Sequence, residues 1–113
     1  MEAIIQLAER LGKAIANSPQ AMSLRTAREE LDEQEDLSKM LTEFQEQAEK
    51  VARLERENKP IEVEDKRRLR ELQDKLVASE TFKRFTASQL EYVDLMRKVN
   101  EALRGQLMET EGD

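Results

Sequence analysis

The chain has 113 residues, of which 38% are hydrophobic and 39% charged, and its formal net charge is -6. A chain this short makes one domain, and so heavy a charge load suits thin helical layers with a wet face better than a thick core. It contains no Cys and no His, which excludes disulfides, thiolate metal sites, cysteine nucleophiles and histidine general bases; its acidity argues against non-specific nucleic-acid binding.

Three Gly and two Pro leave few places to turn, so nearly the whole chain reads as helix. Ile4, Leu7, Leu11 and Ile15 form a first apolar stripe. It stops at Asn17-Ser18-Pro19, where Ser18 caps a second helix and Pro19 occupies its first turn without losing a needed donor. Met22, Ala27 and Leu31 mark that short helix, and the acidic stretch Asp32 to Asp36 breaks it. Leu37, Met40, Leu41, Phe44, Ala48, Val51 and Leu54 predict a long third helix, ended at Asn58-Lys59-Pro60 because proline disfavours helical geometry in the residue before it. Leu69, Leu72 and Leu76 predict a fourth helix from near Val63, and Ser79 caps a fifth running from about Glu80 to Leu107.

The fifth helix carries the most continuous stripe: Phe82, Phe85, Tyr92, Met96, Val99, Leu103 and Leu107. Leu90 and Val93 lie on its flank and Leu95 on the other side, so the helix is apolar over more than one seam and touches two or more neighbours. Gln89 falls inside the stripe and Asn100 beside it; each reads either as a register-setting hydrogen bond or as an exposed gap. The expected architecture is an all-α antiparallel bundle of four to five helices with a long C-terminal helix. It forms a single domain over 1–108 with a disordered tail at 109–113, and it dimerises. Phe82, Phe85, Gln89, Tyr92, Met96, Val99 and Leu103 are the candidate dimer interface.

Catalytic constellations are missing. Glu43, Glu46 and Glu49 recur every three residues, but di-iron helical bundles pair such glutamates with a histidine this chain lacks, and these residues read as a solvated face. Ser18, Ser38, Ser79 and Ser88 have no histidine partner for a triad, no glycine-rich phosphate loop occurs, and Tyr92 reads as core. Neither a metal nor a cofactor is expected, nor a small-molecule substrate. Lys66, Arg67 and Arg70, with Arg68 between them, form one basic cluster, a candidate patch for RNA or an acidic partner. Arg67 with Glu71 and Arg70 with Asp74 stand four residues apart, which reads instead as a surface of paired charges. Gly12 stands inside the first helix, either to admit a close neighbour or as a tolerated defect.

Leu11-Gly12-Lys13-Ala14-Ile15-Ala16-Asn17-Ser18 resembles the opening signature of the YlbF/YmcA family of small bacterial helical proteins. Leu41-Thr42-Glu43-Phe44-Gln45 is similar to the family's leucine, two residues, phenylalanine, glutamine element. Leu72-Gln73-Asp74-Lys75-Leu76 and Leu95-Met96-Arg97-Lys98-Val99-Asn100 follow in the family's order, so the resemblance spans Ile4 to Leu107. It implies an all-α, dimer-forming, non-enzymatic regulatory protein. Family members include partners in a complex that influences competence, sporulation and biofilm formation through RNA processing. Some members of that complex hold an iron–sulfur cluster through cysteines; this chain has none and resembles the cysteine-free branch.

The opening Met1-Glu2-Ala3-Ile4-Ile5 has no basic segment of a secretory leader, and no stretch nears the ~18 apolar residues of a membrane span. The expectation is therefore a cytoplasmic bacterial homodimer that binds other proteins. RNA-binding accessory and chaperone-like adaptor are the two alternatives.

Overall fold

A computed structural model describes residues 1–112, with side chains through Met108. Its described residues form five helices and no strand: α1 (Glu2–Ala16), α2 (Pro19–Glu33), α3 (Glu35–Arg56), α4 (Val63–Val77) and α5 (Glu80–Gly112). The all-α fold with a long last helix is thus the one the stripes predict. α5 continues to Gly112 rather than stopping near Leu107. The expected disordered tail at 109–113 lies outside the residues whose side chains are described.

Each break has a local cause. The Ser18 hydroxyl donates to the Ile15 carbonyl at 2.6 Å and accepts from the Ala21 N–H at 3.1 Å, closing α1 and capping α2. Arg25 braces the same corner by donating to the Ala16 carbonyl at 2.9 Å. Between α2 and α3 only Gln34 leaves the helical region, in extended geometry. At the end of α3, Asn58 takes the left-handed conformation with φ 55°. The Lys59 N–H then reaches the Leu54 carbonyl at 2.9 Å and the Asn58 N–H the Glu55 carbonyl at 3.1 Å, the paired closure of a Schellman motif with asparagine in the usual glycine place. Ser79 caps α5 by accepting from the Phe82 N–H at 3.2 Å.

By its contacts the chain divides into two units, Arg28–Phe85 and a second made of Met1–Ala27 with 86–113. The first unit holds the core. Leu31 and Leu76, 0% and 1% exposed, meet Leu37 and Leu41, with Met40, Phe44, Phe82 and Phe85 packed around them. α3 and α4 run antiparallel here: Arg68 pairs with Glu43 at 3.2 Å, while Lys50 pairs with Asp65 at 2.9 Å and Gln47 donates to the Asp65 carbonyl at 3.0 Å. The lysine hydrogen bond, aided by Gln47, holds the Asp65 carboxyl below its ordinary pKa. Thr81, buried at the start of α5, accepts from Gln34 at 2.6 Å, and Arg28 lies 5.8 Å over the Phe85 ring.

The second unit is thinly packed. Ala21 and Ala27 of α2 are buried, and Leu24, Tyr92, Leu95, Met96 and Val99 are half-buried. α1 buries no residue at all.

Candidate assembly surface

Every apolar side chain of the α1 stripe except Ile15 is exposed, led by Ile4 at 68% and Leu7 at 60%. On α5 the exposed large apolar residues are Leu90, Val93, Leu103, Leu107 and Met108. A single exposed leucine means little, but eleven large apolar side chains are exposed in this one small unit, Met1, Ile5, Leu11 and Met22 included.

The seven residues expected at the interface divide between the two units. Phe82 and Phe85 pack against the core of their own unit. Tyr92, Met96 and Val99 are half-buried, while Gln89 and Leu103 are exposed. This narrows the candidate surface to the distal part of α5 and widens it toward its flank. Sequence reasoning placed Leu90 and Val93 beside the stripe and Ile4, Leu7 and Leu11 on a stripe of their own, without marking any of them as uncovered. The available signal was the number of apolar seams, which exceeds what a single thin core can absorb.

The charged side of distal α5 is internally neutralised. Arg97 bridges Asp94 and Glu101 at 2.7 Å each, and Lys98 reaches Asp94 at 3.1 Å. These hydrogen bonds, that from Arg97 first, lower the Asp94 pKa, and the Arg97 pKa is raised chiefly by Asp94. Arg97 and Glu101, with Val93, Met96, Asn100 and Arg104, help line a shallow groove of about 470 Å³.

The basic cluster is partly spent. Arg67 sits 3.5 Å from both Glu64 and Glu71, and Arg68 is committed to Glu43. The expected Arg70–Asp74 pair does not form among the described residues; Lys66 and Arg70 stay exposed without an ion pair there. Glu43, Glu46 and Glu49 all face solvent. A Cβ on Gly12 would meet nothing within 4 Å, so no neighbour among the described residues requires that glycine. No helix among the described residues is long and apolar enough to cross a membrane.

The family model described as control of competence regulator ComK, YlbF/YmcA, matches residues 4–108. The chain belongs to the YlbF/YmcA family. A solved structure described as a protein of unknown function (DUF964) from Bacillus stearothermophilus is similar in fold, with a TM-score of 0.77 at 16% identity and 96% of each chain covered. At that identity the likeness concerns the fold alone. No curated protein matches the chain.

Proposed function

We propose that this YlbF/YmcA-family chain is a non-enzymatic, cytoplasmic regulatory protein that acts as a helical homodimer and works by binding other proteins. One observation carries the reading: α1 and distal α5 present amphipathic faces that their own chain leaves uncovered. Water-exposed apolar surface of this extent is stabilised by association, and a closed two-fold dimer buries the same face of both copies. The family's description as a control of a competence regulator supports a regulatory role. Sedimentation equilibrium should give twice the 13.2 kDa chain mass, and Leu103→Glu should shift the protein toward monomer. A wild-type monomer at high micromolar concentration overturns the homodimer.

A second reading has one observation in its favour, the exposed and unpaired Lys66 and Arg70. An RNA-binding accessory would lose salt-dependent affinity when both become Glu. Absence of RNA binding at low salt dismisses it.

A further inference from the structure

We infer that the two copies meet along the flank of distal α5, with Asn100 of each copy hydrogen-bonded to Asn100 of the other across the two-fold axis. The inference rests on the homodimer proposed above and states where its axis lies. Val93, Asn100 and Leu107 recur at seven-residue intervals, and Met96 and Leu103 recur at the same interval three residues after Val93 and Asn100. This is the a and d spacing of a helix that pairs with another helix. Val93, Leu103 and Leu107 are all more than half exposed, so the seam is not used up within the chain. With Leu90 it runs along about 27 Å of helix.

Asn100 stands in the middle of that seam, exposed, and its carboxamide has no hydrogen-bond partner among the described residues. Covering the seam with a purely apolar partner surface would strand this amide away from water, which is costly. In an isologous pair, a residue on the axis meets its own copy. A carboxamide is self-complementary, since each NH₂ donates to the other's carbonyl oxygen. Of the neighbouring groove residues, Arg104 would face an identical charge on the axis, and Arg97 is already held by Asp94 and Glu101. Off the axis, Asn100 would lie against Met96 or Leu103 and remain unpaired. The polar residue and the heptad spacing therefore select one register, the use for which a lone seam asparagine is best attested.

The absence of native cysteine makes the test direct. Asn100→Cys and, as a control on the opposite side of the helix, Lys98→Cys are oxidised with diamide in the full chain, alongside sedimentation of the reduced proteins. The expected result is a disulfide-linked dimer forming at least about tenfold faster for Asn100→Cys, since only Cβ atoms about 4 Å apart bridge readily. Asn100→Lys should weaken dimerisation at least about tenfold by placing like charges on the axis. If all proteins sediment as monomers, the homodimer itself fails. If they sediment as dimers but Asn100→Cys links no faster than Lys98→Cys, the axis lies elsewhere and this inference is overturned while the dimer stands.

Discussion

Leu76→Ala tests whether the cluster around Leu31 is the stabilising core. Leu76 is 1% exposed and touches a layer built from Leu31, Leu37 and Leu41. Removing three buried carbons forfeits about 2.4 kcal/mol of transfer free energy at ~0.8 kcal/mol per carbon. The residual cavity adds to this, though less than in a thick core. Met40, Phe44 and Phe82 are only partly buried and have room to close on the space, so the expected total is about 3 kcal/mol, within the usual range of about 2–5 kcal/mol. Urea unfolding followed by circular dichroism, at one fixed protein concentration, should show a midpoint lower by about 2 M if the slope is near 1.5 kcal/mol/M and unchanged. Val77→Ala, one residue along and half exposed, should lie within about 0.5 kcal/mol of wild type, because alanine's better helix propensity offsets the lost contact. A Leu76→Ala cost below about 1 kcal/mol, or equal losses for the two variants, would refute the placement of the core.

Ser18→Ala and Ser79→Ala should each lose about 1 kcal/mol in the same unfolding assay, since each hydroxyl serves an otherwise open N–H in a helix's first turn. Asn58→Gly should be neutral to slightly stabilising at φ 55°, whereas Asn58→Val should cost more than about 1 kcal/mol. The Asp65 pKa is depressed in the folded chain, so its contribution to stability is fully present above the ordinary value of 3.8 and is lost as pH falls through the folded value. The stability gap between wild type and Asp65→Asn should accordingly be flat at neutral pH and close on acidification below about pH 4. If the proposed homodimer covers α1, hydrogen exchange on progressive dilution should release the amides of α1 before those of α3 and α4; simultaneous release would count against that cover.

The helices themselves were legible because an apolar stripe and a stop signal are both local. Ser18-Pro19, the acidic stretch Asp32 to Asp36, within which the break falls at Gln34, Pro60 after Asn58, and Ser79 mark the observed boundaries closely. The left-handed Asn58 was not legible as such: Pro60 announces the end of α3, but the backbone closure around Asn58 is seen only in the hydrogen bonds of Lys59 and Asn58. The ion pairs divided in the same way. Arg67–Glu71 lies within one helix face and follows from spacing, whereas Arg68–Glu43 joins two helices 25 residues apart and depends on the α3–α4 register.

Coverage was the harder quantity, for a physical reason. Periodicity shows that a face is apolar and is silent about what lies on it, so Phe82 and Leu103 belong to one stripe although Phe82 packs on a core and Leu103 faces solvent. The difference arises because α5 is 33 residues long while the core unit ends at Phe85. Beyond that point the helix keeps an apolar face with too few partners of its own. α1 sharpens the point: fifteen residues are marginal for an isolated helix in water, and this one buries nothing. On the homodimer proposed above, the other copy's α1 and distal α5 would supply the apolar cover that α1 lacks within its own chain.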